Sequence, residues 1–96
     1  MNKTLFVIAT ITANPGHALP VRQAIELIVP PTLAEDGCIR YDFLADNNND
    51  HGFVIEEQWQ SKAALEAHMR TAHFKALVDS IGPVASINVS EYSLQA

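Results

Sequence analysis

From Leu5 to Ala13 the chain is rich in Val, Ile and Thr, and apolar and polar positions alternate from Ala9 onward, which predicts a strand. Leu5, Val7, Ala9, Ile11 and Ala13 share one face, and Phe6, Ile8, Thr10 and Thr12 share the other. Both faces are substantially apolar, as in a strand covered on both sides. Helices must cover one side, and a partner subunit could cover the other. Asn14-Pro15-Gly16 marks a turn. Beyond it Val21, Ala24, Ile25 and Ile28 fall on one stripe at helical spacing. Pro20 lies in the first turn, where a missing N–H does little harm. Pro30-Pro31 is expected to kink or stop this helix, with Thr32 to Glu35 adding a turn before Asp36-Gly37 ends it.

Alternation resumes from Cys38 to Asp46, with Ile39, Tyr41 and Phe43 pointing one way and Arg40 and Asp42 the other. The polar run Asn47 to Gly52 predicts a hairpin turn into a third strand, Phe53 to Gln58 or Trp59. There Phe53, Ile55, Glu57 and Trp59 share one face, and a one-residue slip would exchange the faces. Ser61 is a good N-cap for a helix whose inward stripe is Ala64, Leu65, His68 and Met69. A break near Thr71 separates it from a second segment with the stripe Phe74, Leu77, Val78 and Ile81, stopped by Gly82-Pro83. Ser86 to Leu94 alternates again as the last strand. The order β-α-β-β-α-β is that of an α+β, ferredoxin-like fold, an antiparallel sheet with helices on one face. That fold hosts many activities, so function has to be read from a site.

At 96 residues the chain is expected to form one domain over its whole length, with a modest core that oligomerisation often supplements. The net charge of −5 and the scattered basic residues argue against binding nucleic acid or an anionic membrane. No apolar run approaches the roughly 20 residues of a membrane span, and the first residues read as a strand rather than a signal peptide. The expected compartment is the cytoplasm. The single cysteine, Cys38, excludes an intrachain disulfide and reads as a small buried hydrophobe.

The candidate chemistry gathers between Glu56 and Phe74. His68 lies on an apolar stripe, either as a hydrogen-bonded core histidine or as a general base facing a cavity. Glu57 and Trp59 share a face with Phe53 and Ile55. A carboxylate there is paired, with Arg40 or a histidine, or is a site acid/base with a raised pKa. His73 lies five residues beyond His68, about 140° away on an unbroken helix, so the two converge only if the chain breaks near Thr71. They lack the HxxxH spacing of two zinc ligands, and no metal is expected. Tyr41 reads as a core residue with its hydroxyl bonded, and Arg40 and Asp42 as members of a cross-strand or intersubunit ion pair. His17 and His51 fall in polar turns.

Three stretches together carry a resemblance. They are Val7-Ile8-Ala9-Thr10-Ile11 leading to Asn14-Pro15-Gly16; Asp36-Gly37-Cys38-Ile39-Arg40-Tyr41-Asp42; and Phe53 to Trp59 followed by Ala64-Leu65-Glu66-Ala67-His68 and His73-Phe74. In this order and spacing the chain resembles the antibiotic biosynthesis monooxygenase family, which includes small quinol monooxygenases and an autoinducer-2-processing enzyme. The resemblance implies a homodimeric α+β barrel with two sheets face to face. It also implies oxygenase chemistry on a small-molecule phenol with no metal, flavin or haem cofactor, in which the deprotonated substrate reduces dioxygen. His68 and Glu57 are then the expected catalytic pair, with Trp59, His73, Phe74, Tyr41 and Arg40 toward the substrate. Alternatives are an isomerase-type enzyme of the autoinducer-2 branch and a non-catalytic dimeric binding module. Haem-degrading relatives carry a tryptophan and, ten residues on, a ligating histidine where this chain has His68 and Val78, which argues against haem. The enzyme readings require a pocket of a few hundred Å³ bordered by Glu57, Trp59 and His68, whereas the binding module predicts a packed core.

Overall fold

In the computed structural model, which describes residues 3–96, the alternating stretches become four strands and the periodic ones become helices. They run β1 (Leu5–Ala13), α1 (Ala18–Leu33), β2 (Cys38–Ala45), β3 (Gly52–Trp59), α2 (Lys62–Met69), α3 (Ala72–Ile81), a 3₁₀ turn (Gly82–Val84) and β4 (Ala85–Ser93). The strands form one antiparallel sheet in the order β2-β3-β1-β4. This is the ferredoxin-like α+β fold, with the second helical region divided in two. Among the described residues no helix is long and apolar enough to cross a membrane.

Helices cover one face of the sheet. Val7, Ala9, Ile11 and Ala13 of β1, Phe53, Ile55 and Trp59 of β3, and Tyr41 of β2 are buried there against Val21, Ile25 and Ile28 of α1, Leu65 of α2, and Leu77 and Ile81 of α3. At about 25 cal/mol per Å² of apolar surface, a fully buried Ile or Val contributes roughly 1.5–3 kcal/mol. This face therefore supplies most of the packing free energy. The register aligns Tyr41, Glu57, Val7 and Glu91 in one row across the four strands. A second row, Phe43, Ile55, Ala9 and Val89, lies beside it. The first row carries polar groups at three positions, and the second is wholly apolar.

Three expectations are corrected. Of the two effects expected of Pro30-Pro31, the stop does not occur, since α1 continues through Thr32 to Leu33. The carbonyls deprived of a donor belong to Glu26 and Leu27, both on the solvent side, where water can satisfy them. Ile39 does not share the face of Tyr41 and Phe43. A bulge between Cys38 and Arg40 sets Ile39 opposite nothing and leaves it half exposed, and Cys38 takes the inward place opposite Trp59. Met69 and Val78 belong to the predicted inward stripes yet remain 41% exposed, because both stand at the rim of a cavity rather than in the core.

The break at Thr71 has a local cause. The Thr71 hydroxyl donates to the His68 carbonyl at 2.7 Å and accepts from the Phe74 N–H at 3.2 Å, closing one helix and capping the next. Ser61 caps α2 in the same way through Ala64 N–H. At the other end of the site, Gly37 adopts a positive φ of 86° and its carbonyl accepts from Gln60 N–H at 2.8 Å. A Cβ there would lie 2.6 Å from the Ala64 Cβ. Gly37→Ala is therefore expected to cost about 2 kcal/mol through backbone strain and clash together, read as a lower urea midpoint at unchanged slope.

Candidate active site

A cavity of about 370 Å³ opens between the sheet and helices α2 and α3. Its floor is apolar, formed by Val7, Ala9, Ile11 and Ile55, and Leu77 and Ile81 wall it from α3. Tyr41, Glu57 and His68 supply polar groups, and Lys62 and Glu91 form an ion pair at 2.6 Å on its exposed rim. The size suits a small organic molecule.

Glu57 is 6% exposed and accepts one strong hydrogen bond, from the Trp59 indole N–H at 2.8 Å. Neither Arg40 nor a histidine pairs with it, so the first of the two alternatives for this carboxyl does not apply. Side chains two apart on a strand point to the same face, so the tryptophan beside it is the partner within reach. Burial pushes the Glu57 carboxyl up to about 7, against the pull of the indole N–H, and the negative charge of Glu35 adds to the rise. A carboxyl titrating near neutrality can both accept and return a proton under physiological conditions.

His68 is 2% exposed, and its ring lies 4.7 Å from Trp59, 5.6 Å from Tyr41 and 5.1 Å from Phe74, centre to centre. Burial lowers its pKa, and the neighbouring carboxylate of Glu35 opposes that drop. Its Nδ1 is 2.7 Å from Glu35 Oε2. The same oxygen is 2.6 Å from His73 Nε2. The chain break at Thr71 thus brings the two histidines together, bridged by one carboxylate oxygen and with their rings 6.0 Å apart, centre to centre. Burial raises the Tyr41 hydroxyl pKa far above the ordinary range and the nearby Glu57 adds to the rise, so the phenol stays protonated. Burial raises the Cys38 thiol to about 11, which removes it as a nucleophile at neutral pH.

The structure brings Glu57, His68, Tyr41 and Phe74 to the cavity wall. Trp59 stands behind that wall, fully buried, holding Glu57 and packing on His68. His73 is also outside the cavity lining and faces Glu35. Arg40 is not brought to the cavity. Its register partner is Gln58, which puts it on the opposite face of the sheet, where it pairs with Asp42 and reaches Glu56 across the strands at 3.7 Å. The residue that sequence reasoning missed is Glu35. It sits 33 and 38 positions from the histidines it binds, and no periodicity links them. Its one visible signal was a carboxylate directly before the Asp36-Gly37 helix stop.

Glu35, His68 and His73 place their donor atoms within 4.8 Å of one another, a set that could hold a metal ion. The spacing observed is that of hydrogen bonds. Two nitrogens meet one oxygen at 2.6–2.7 Å, whereas zinc with bonds of about 2.1 Å holds its donors about 3 Å or more apart.

The sequence profile of antibiotic biosynthesis monooxygenases matches residues 4–80. A relative from Escherichia coli K12 named probable quinol monooxygenase YgiN is 38% identical, over 88% of this chain and 92% of that one. The crystal structure of PA3566 from Pseudomonas aeruginosa superposes with a TM-score of 0.95 at 36% identity, covering 100% of this chain and 98% of that one. A solved antibiotic biosynthesis monooxygenase gives a TM-score of 0.90 at 30% identity, over 96% and 99% of the two chains. With this fold, this cavity and these matches, the chain belongs to the antibiotic biosynthesis monooxygenase family.

Proposed function

We propose that this protein is a cofactor-independent monooxygenase that oxidises a quinol or related polyphenol with dioxygen. The observation that carries the reading is a buried carboxyl of near-neutral pKa and a neutral histidine on the wall of one apolar cavity. A flat aromatic body fits over Ala9 and Ile55, with its hydroxyl toward the row of Tyr41 and Glu57. Glu57 or His68 removes the phenolic proton. The phenolate passes one electron to dioxygen, leaving a semiquinone-type radical and superoxide. These join as a C–O bond at a ring carbon that bears hydrogen, and the protonated base returns its proton to give a hydroperoxide. Loss of the C–H proton as the O–O bond breaks leaves a carbonyl on the ring and releases water. One oxygen atom enters the product and the other leaves as water.

A homodimer is part of the same reading. The outer sheet face combines the half-buried Phe6, Ile8 and Val54 with the exposed Leu44 and Tyr92, which suits coverage by a second sheet. The test is oxygen uptake by purified protein, free of metal and haem, on a panel of hydroquinones, against autoxidation and His68→Ala. Catalysed uptake that falls about 100-fold or more in the variant, with its circular dichroism unchanged, is expected. Uptake no faster than autoxidation for every quinol would sink the reading and favour the isomerase-type or binding alternatives.

A further inference from the structure

We propose that Glu35 is the positioning residue of this site. Its Oε2 binds His68 Nδ1, fixes the ring tautomer that leaves Nε2 for a ligand in the cavity, and is itself anchored by His73. The inference rests on the reading of the cavity as an active site for its activity arm, and on geometry alone for its spectroscopic arms.

An ionised carboxylate only accepts hydrogen bonds. With Nδ1 at 2.7 Å from Oε2, His68 must carry its proton on Nδ1. The lone pair then stays on Nε2, and the ring lines the cavity. A neutral imidazole in the other tautomer would turn a lone pair toward the carboxylate and offer the cavity an N–H, which cannot take a proton. The carboxylate therefore decides whether His68 is a base or a donor. It also stabilises the imidazolium formed once Nε2 has taken a proton.

Glu35 is well placed for this role and poorly placed for a direct one. Its side chain is 13% exposed and it does not line the cavity. It hangs from the loop between α1 and β2, which Gly37 ties to Gln60. The second histidine completes the lock. His73, 25% exposed, donates from Nε2 to the same oxygen, so the carboxylate cannot swing away without losing two bonds. Sharing one oxygen also divides its charge between the rings, so Glu35 and His73 act on His68 with opposite signs. The other titratable groups around His68 are Tyr41 and Glu57 on the sheet, with Lys62 and Glu91 at the cavity mouth.

The decisive experiment is nitrogen-15 NMR of the histidine rings in the full chain, with oxygen uptake measured alongside. The wild-type protein is expected to show the Nδ1–H tautomer at His68. Glu35→Gln is nearly isosteric and is expected to shift the His68 titration to lower pH. His73→Ala is expected to shift it to higher pH, because the whole charge of Oε2 then falls to His68. His73→Phe repeats that arm with ring volume retained. In turnover, Glu35→Gln should lower kcat roughly 10- to 100-fold with KM little changed, as expected for a residue that supports the base without touching substrate. An Nε2–H tautomer in the wild type would overturn the proposal, as would a His68 titration in Glu35→Gln at or above the wild-type value. A merely structural role would move neither readout in opposite directions in the two variants. Absence of quinol turnover by the wild type would remove the monooxygenase reading alone, because the NMR arms decide the role of Glu35 without it.

Discussion

Replacing Glu57 by glutamine makes the protein gain stability relative to the wild type as the pH rises, by about 3 kcal/mol between pH 4.5 and 8, while turnover falls about 100-fold or more. In the folded protein the carboxyl titrates near 7, against 4.5 as its ordinary value. Between those values the unfolded chain has released the proton and the folded chain still holds it. The wild type therefore loses stability as pH rises from about 4.5, and the loss is complete above about 7. Glutamine cannot ionise and shows no such decline. The His68 contribution runs the other way. Its pKa is lowered in the folded state, so it costs stability as pH falls below its ordinary value of 6.5. That cost is present in both proteins and cancels in the difference. Urea unfolding at a series of pH values, with both proteins in the same buffers, measures it. A flat difference would show that Glu57 is ionised in the folded state throughout, and would remove it as a near-neutral acid/base.

Trp59→Phe should destabilise the protein by about 3 kcal/mol at pH 8 and by less at pH 5. The indole is fully buried and is the largest core side chain, so phenylalanine leaves a void against His68 and Tyr41. It also removes the N–H that holds the Glu57 carboxylate at 2.8 Å. That bond matters most when Glu57 is charged, above pH 7, and little once the carboxyl is protonated. The variant should therefore move the titration of Glu57 further up and displace the alkaline or acidic limb of the rate profile with it. Thermal melts at the two pH values, compared with the wild type, report the difference. An equal loss at both would assign Trp59 to packing alone.

Where one stretch contained the whole cause, the sequence was sufficient. The strand alternation, the Asn14-Pro15-Gly16 turn, the capping residues Ser61 and Thr71 and the stop at Gly82-Pro83 are local, and each predicted element is present. The inward placement of Glu57, Trp59 and His68 followed from periodicity in the same way. The errors arose where a local rule met a tertiary circumstance. Two prolines late in α1 are tolerated because the carbonyls they orphan face water. The bulge at Ile39 shifts a face by one residue, and nothing in the apolar pattern of Cys38 to Phe43 announces it. Glu35 was invisible for a deeper reason. Its partners come from two other elements, and a hydrogen bond between residues this far apart in sequence leaves no periodic trace.

That separation also bears on the order in which the molecule acquires its parts. The contacts of Glu35 with His68 and His73 close loops of 33 and 38 residues, and each needs α1, the hairpin and the α2–α3 joint already in place. Closing such a loop carries an entropic penalty that nearby contacts must offset first, so these bonds belong to the end of folding rather than its nucleus. A refolding chain can regain its helical signal and bury its tryptophan before the histidine acquires its tautomer. If Glu35 has the role proposed for it, recovery of oxygen uptake is expected to lag recovery of tryptophan fluorescence, because the loop before Gly37 docks last.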